Sequence, residues 1–227
     1  MPAQVNIDPP LAAVLNMQND RENFEKAHDF SPQDYLIRIY EWNAPSISLG
    51  ISQDPGAVRK IIPDIEIVQR ITGGRAVLHD NEITYSIAAS VYSLFFGGSL
   101  YDTYKKISSV LEAFFLRIGV PAAVQRQKKH SAVPGRSQVC FASPSLYEIT
   151  TPLGKIAGSA QKRDAQAFLQ HGSIPVHTTQ SKCRELFMEK NSPDTDYCAI
   201  ADFLKNPDII QLKNILADEF QKFIDRH

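Results

Sequence analysis

The sequence predicts one α+β domain across residues 1–227, on three observations. Two segments, Tyr101 to Ile118 and Asp208 to Ile224, carry apolar residues at helical spacing. Short strand-like runs bounded by turn residues fill much of the remainder. No repeat, low-complexity tract or linker divides the chain, so these elements are expected to share one core.

Composition narrows the function classes. A chain of 227 residues has room for one full-sized domain but is short for two. Its hydrophobic fraction of 43% and charged fraction of 22% are ordinary for a globular protein. A net charge of -1 suggests neither a nucleic-acid binder nor a membrane-surface protein. No apolar run reaches the roughly 18 residues of a membrane span. Met1 to Pro10 lacks the cationic and apolar stretches of a secretory signal, so a cytoplasmic location is expected. Cys140, Cys183 and Cys198 are an odd number without a CxxC pair, a poor disulfide framework and a poor zinc site.

Taken in order, Ala12 to Ala27 reads as a moderately amphipathic helix with Leu11, Val14, Leu15, Phe24 and Ala27 as its apolar positions. Tyr35 to Trp42 alternates like a half-buried strand, and Ser46 to Gly50 suits a short second one. Asp54-Pro55 supplies an N-cap and a first-turn proline, so a short helix is expected to about Ile61. Glu66 to Gln69 and Ile83 to Ala89 read as strands around a glycine-containing loop. In the helix from Tyr101 to Ile118, Tyr104, Ile107, Leu111, Phe114, Phe115 and Ile118 share one face, and Gly119-Val120-Pro121 ends it. A hydrophilic stretch from Arg126 to Gln138 precedes three strand candidates, Leu146 to Thr151, Lys155 to Lys162 and Ala167 to His177. In the last helix Ile209, Leu212, Ile215, Leu216, Phe220 and Phe223 are expected inward.

Four segments can carry chemistry. In Arg70-Ile71-Thr72-Gly73-Gly74-Arg75-Ala76-Val77-Leu78-His79-Asp80 the paired glycines admit close backbone approach to a ligand, and Arg70, Arg75 and His79 add donors. On spacing alone an ordinary surface turn explains it as well or better. Lys155, before Ile156-Ala157-Gly158-Ser159, becomes a base if held in a partly apolar cleft; an exposed lysine at a strand start is the simpler alternative. His171-Gly172 can polarise a substrate or be a satisfied structural histidine. Cys140 follows the hydrophilic loop, where a cationic neighbour would raise its thiolate fraction; buried, inert thiols are the reading for Cys183 and Cys198.

Together these segments resemble the lipoate-protein ligase and octanoyltransferase family, which shares its catalytic fold with biotin protein ligases. The resemblance rests on Arg70 to Asp80, Glu82 to Ser86, Cys140-Phe141 through Pro144-Ser145 and Tyr147-Glu148, Lys155 to Gln161, and Leu169 to Ile174, in that order. It spans Leu11 to Val176; Asn16-Met17-Gln18-Asn19-Asp20 departs from the family's usual first-helix pattern. It implies a mixed, largely antiparallel sheet flanked by helices. It also implies a tunnel for a medium-length acyl chain, lined by the Arg70–Asp80 loop and Lys155, and substrate binding by Arg70, Gly73, Gly74, Arg75, His79, Ala157, Gly158, Ser159, His171 and Gly172.

The segment around Cys140 looks like the cysteine-dependent octanoyltransferases, and the roughly fifty residues that follow Val176 are expected to leave no room for the additional domain many ligases use. Both features imply an acyltransferase in which Cys140 is the nucleophile and Lys155 its partner. The implied donor is octanoyl-acyl carrier protein. The implied acceptor is a lysine of a lipoyl-domain protein, either the glycine cleavage H protein or a dehydrogenase E2 subunit. Thioester exchange needs no cofactor or metal. Backbone amides near Ala157 and Gly158 are expected to receive the oxyanion. Arg126, Lys128, Lys129, His130 and Arg136 suit either docking of the acidic carrier or a solvated loop. Three alternatives stay open: an ATP- and magnesium-dependent lipoate ligase, an amidotransferase between lipoyl-carrier proteins, and a non-catalytic acyl- or lipoate-binding module.

Overall fold

A computed structural model describes residues 3–60, 63–125, 148–177 and 197–227. Its centre is a seven-stranded sheet in the order β1-β2-β6-β10-β9-β8-β7, formed by Ala3–Ile7, Tyr35–Tyr40, Glu82–Ser90, Ala167–Pro175, Gly154–Arg163, Ile149–Thr151 and Ala123–Val124 respectively. Only β1 and β2 run parallel; the other neighbours are antiparallel. A second sheet of three strands has the order β4-β3-β5, from Glu66–Gln69, Ser46–Leu49 and Val77–His79. Among the described residues the helices are α1, Ala13–Lys26; α2, Pro55–Arg59; α3, Leu100–Arg117; and α4, Ile209–Asp225. The α+β expectation of a mixed, mostly antiparallel sheet with flanking helices is met.

Strand alternation gives the large sheet two unlike faces. Toward α3 and α4 it presents Ile37 and Ile39 of β2, Ile83, Tyr85 and Ile87 of β6, and Phe168 and Ile174 of β10. These pack on Ile107, Leu111, Phe114 and Phe115 of α3 and on Leu212, Leu216 and Phe220 of α4. Ser99 caps α3: its hydroxyl accepts from the Asp102 amide at 3.2 Å, and the Asp102 carboxylate accepts from the Ser99 amide at 2.9 Å. Both helices keep the expected apolar faces because a largely apolar surface receives them, its buried Gln170 satisfied by the Tyr85 hydroxyl and the Gln161 amide.

The opposite face carries Arg38 and Tyr40 of β2, Glu82, Thr84 and Ser86 of β6, and His171 and Ser173 of β10. The helix α1 and the small sheet cover this polar layer. That accounts for two departures from expectation. Strand β2 is buried at every position rather than on one face, since both of its faces are covered. Phe24 of α1 and Ala27 just beyond it are buried as expected, but Val14 is 56% and Leu15 45% exposed. Asn16, Met17 and Asp20 take the inward positions, because the surface they meet needs polar partners. Strands β1, β5 and β7 lie outside the runs read from sequence, and α2 ends at Arg59.

His28 and Asp164 pin the end of α1 to the β9–β10 turn, with His28 Nε2 2.8 Å from Asp164 Oδ2. Burial opposes ionisation of Asp164, but the amides of Ala167 and Gln166 and the His28 ring bring its pKa down to about 2. The hydrogen bond to Asp164 raises that of His28. The histidine contribution is complete below about pH 6.5 and fades as pH rises through the raised folded value. The carboxylate contribution is present above about pH 4 and fades as pH falls toward 2. The pair therefore stabilises most between about pH 4 and 6.5. His28→Gln should lower the thermal midpoint at pH 5.5, by about 2–4 °C at most, and lower it less at pH 9. Equal losses at both pH values would exclude the linkage.

Candidate active site

The polar layer starts from two positions four apart on α1. Asp20 accepts from Arg38 Nη1 at 2.7 Å, Tyr40 Oη at 3.0 Å and His171 Nδ1 at 2.9 Å. Asn16 accepts from Arg38 Nη2 at 3.2 Å and donates to the Glu41 carbonyl at 3.1 Å. Burial opposes the charge on Asp20, yet His171, Arg38 and Ser86 together hold its carboxyl below the usual range. Asp8 closes the outer edge of Arg38 at 2.7 Å from Nε.

The glycine loop lies over this layer, against the small sheet. Its organiser is Arg70, whose buried guanidinium donates to the carbonyls of Ser48, Gly73 and Arg75 at 2.8, 2.9 and 2.6 Å. It donates further to Thr72 Oγ1 at 3.0 Å and Ser48 Oγ at 3.1 Å. Burial lowers its pKa to about 10. Gly73, Gly74 and Arg75 are exposed above it. Gly74 has φ +98°, and a Cβ there would stand 2.9 Å from Arg70 Nη2, so glycine is required. From below, Gly50 lets the loop settle: a Cβ at Gly50 would overlap the Gly74 carbonyl oxygen. His79 stacks on Trp42 at 3.9 Å between ring centroids, and its ring nitrogens meet Glu82 Oε1 and Ser48 Oγ, each at 2.7 Å.

Lys155 reaches the same face through a β-bulge. Ile149 pairs with Ala157 but Thr150 pairs with Lys155, so β9 holds an extra residue at Ile156. In unbroken alternation Lys155 and Gly158 would point to opposite faces. The bulge turns both Ile156 and Ala157 into the apolar core. Lys155 instead extends over Gly158, its Nζ 3.9 Å from where a Gly158 Cβ would lie. The ammonium donates to Glu148 Oε1 at 2.7 Å and sits 5.8 Å from the Tyr197 ring centroid. Gly158 is registered with Ser173, and Ser173 donates to Glu82 Oε2.

The structure thus brings Arg70, Gly73, Gly74, His79, Lys155, Gly158 and His171 to the polar side of the large sheet. Ala157 turns into the core. Gly172 lies against Tyr85, where a Cβ would stand 2.8 Å from the ring hydroxyl, and Ser159 bonds that hydroxyl at 2.8 Å. Ala157 and Gly158 pair with Ile149 and Ser173 in neighbouring strands, so their backbones form part of the ladder. Cys140, Cys183, Arg126, Lys128, Lys129, His130 and Arg136 lie outside the described residues. Cys198 is buried beside Thr151, and burial pushes its thiol pKa up, which suits a structural thiol. Sequence reasoning missed Asp20, Arg38, Ser48, Thr72, Glu82 and Glu148 as members of this layer. The available signal was Asn16 and Asp20 on one helix face, with Arg38 interrupting an apolar strand.

Among the described residues no three His, Cys, Asp or Glu side chains converge as metal ligands. Among them, too, no helix is long and apolar enough to cross a membrane.

A two-sheet fold with a polar layer beneath a double-glycine loop, and a lysine bulged onto the same face, defines the class of α+β domain to which this chain belongs. The family model of the lipoyl protein ligase A/B catalytic domain matches residues 13–221, and the chain belongs to that family. It is 39% identical over 165 residues to the octanoyltransferase LipM of Anoxybacillus flavithermus, covering 68% of this chain and 59% of the relative. The Oceanobacillus iheyensis octanoyltransferase LipM is 34% identical over 194 residues, covering 78% of this chain and 65% of the relative. The chain therefore spans less than two thirds of the length of these relatives. Among solved structures, a T. acidophilum protein assigned as a lipoate protein ligase has a TM-score of 0.74 at 19% identity, covering 99% of this chain and 86% of that one. That likeness shows the shared fold.

Gly50→Ala tests how far the loop depends on its support. The opposing atom is a backbone oxygen, so no side-chain rotation relieves the overlap. Chemical denaturation should show a loss of about 1–3 kcal/mol. An unchanged midpoint would mean that the Gly74 carbonyl is not seated on Gly50.

Proposed function

We propose that this chain transfers an octanoyl group, through a thioester on Cys140, from a carrier-protein thioester to a lysine of a lipoyl-domain protein. The observation that supports this reading most strongly is its identity with octanoyltransferases over most of the chain. The bulged Lys155 beside Gly158, on the face that also bears the glycine loop, is the chemical feature that fits it.

In the proposed mechanism the Cys140 thiolate attacks the donor thioester carbonyl. Its C–S bond forms, the tetrahedral oxyanion collapses, and the carrier thiolate leaves with a proton from the Lys155 ammonium. The acceptor amine then attacks the acyl-enzyme, gives a proton back to Lys155, and expels the Cys140 thiolate as the amide forms. The sum is a free carrier thiol and an octanoylated lysine, with no ATP or metal in the balance. Glu148 holds Lys155 over Gly158 between turnovers, and the absence of a side chain at Gly158 leaves the ammonium a path toward the reacting carbonyl. Gly73 and Gly74 leave room for the acyl chain. Arg126, Lys128, Lys129 and Arg136 would steer an acidic acyl carrier protein toward Cys140.

Intact-protein mass spectrometry after mixing with octanoyl-acyl carrier protein should show an octanoyl adduct that disappears in Cys140→Ser. No adduct in the native protein under turnover conditions would sink the mechanism. Repeating the reaction with an octanoylated lipoyl-domain protein as donor tells a carrier-protein transferase from an amidotransferase.

Reversing Lys128 and Lys129 to Glu should raise the donor KM by about tenfold at low salt and by less at high ionic strength. Donor kinetics unchanged at low salt would remove this loop from the docking surface.

A further inference from the structure

Arg70 is a buried cation whose hydrogen bonds among the described residues all run to uncharged oxygens. An unpaired buried charge is costly, so its surroundings must compensate it at one remove. Two of its acceptors are hydroxyls, and each is the end of the same three-part chain. Thr72 Oγ1 lies 2.7 Å from His171 Nε2, and His171 Nδ1 lies 2.9 Å from Asp20 Oδ2. Ser48 Oγ lies 2.7 Å from His79 Nε2, and His79 Nδ1 lies 2.7 Å from Glu82 Oε1.

A guanidinium only donates and a carboxylate only accepts. Each Nδ1 therefore donates to its carboxylate and each hydroxyl oxygen accepts from Arg70, while the tautomer with its proton on Nδ1 lets Nε2 accept from the hydroxyl. Polarisation runs from carboxylate to guanidinium along both chains, and linked hydrogen bonds of this kind reinforce one another. Thr72 is 0% and Ser48 2% exposed, and both nitrogens of each imidazole are occupied, so none of these groups is set to touch a reacting atom.

We propose that Asp20–His171–Thr72 and Glu82–His79–Ser48 are twin positioning relays that lock Arg70 at Nε and Nη1, and thereby fix the Gly73–Gly74 backbone for an acyl carbonyl. With Arg70 held, its Nη2 draws the Gly73 and Arg75 carbonyls inward at 2.9 and 2.6 Å. In a trans peptide the N–H opposes the C=O, so the Gly74 amide points away from Arg70. The substrate named here rests on the acyl-transfer reading above; the locking itself does not.

The test compares Thr72→Val, which keeps the shape and removes the hydroxyl, with Thr72→Ser, which keeps the hydroxyl. Ser48→Ala does the same at the second relay, and supplies the readout if Thr72→Val fails to fold. Hydrogen exchange at the Arg70 and Ile51 amides, which donate to the Leu49 and Thr72 carbonyls at 2.9 Å each, should quicken by about tenfold or more in Thr72→Val and in Ser48→Ala, and stay near native in Thr72→Ser. Octanoyl-transfer kcat should fall about ten- to a hundredfold in the first two, with donor KM within about twofold. The Thr72→Val/Ser48→Ala pair should lose less than the product of the single losses, because both act through Arg70.

Native exchange and kcat in a folded Thr72→Val would overturn the relays while leaving acyl transfer standing. Faster exchange in a protein whose native form shows no octanoyl adduct would support the relays and remove the acyl-transfer reading.

Discussion

The polar half of the molecule depends on the buried ion pair between Arg38 on β2 and Asp20 on α1. Both side chains are almost wholly enclosed, and each carries further bonds: Arg38 to Asp8 and Asn16, Asp20 to Tyr40 and His171. Pairs of this kind add little net stability over apolar packing, but losing one partner strands the other charge at about 3–5 kcal/mol. What the pair provides is orientation. It sets the rotation of α1 about its own axis, which determines where the His171 ring sits and what the small sheet rests on.

The two faces of the large sheet divide the labour. Alternate residues of one strand face a dense apolar core and a hydrogen-bonded layer: Gly172 lies against Tyr85 on one side, while the neighbouring His171 reaches Thr72 on the other. The apolar face, closed by α3 and α4, can supply most of the burial energy without constraining the chemistry. The polar face is then free to accommodate a buried guanidinium and exposed glycines, features that would weaken a core. Glu82 joins the parts of that face, accepting from His79 and Thr84 on one oxygen and from Ser173 on the other.

Legibility in the sequence follows the same division. Helices α3 and α4 were readable because each packs on apolar surface with a 3.6-residue period. In α1 the period is present but its polarity is mixed, since Asn16 and Asp20 share the inward stripe with Ala13, Met17 and Phe24 while Val14 and Leu15 face outward. Strand β5 was hidden inside a segment that reads as a glycine turn, and β1 is an edge strand without a buried face. Within the site, the glycine loop and Lys155 were visible as local motifs. The contacts that organise them were not: Thr72 and His171 are 99 positions apart, and no periodicity connects them.

The extra residue at Ile156 also bears on how this strand can change. A β-strand keeps a kind of parity, in which odd steps cross the sheet and even steps stay on one side. One added residue makes three positions behave as an even step, so Lys155 and Gly158 share a side. Substitutions along β9 leave the bulge in place. Loss of one residue between them would leave a separation of two, an ordinary even step that keeps the lysine on its side, but it would withdraw one of the two side chains, Ile156 or Ala157, from the core. The extra residue thus adds a second apolar contact beneath the sheet at no cost to the placement of Lys155.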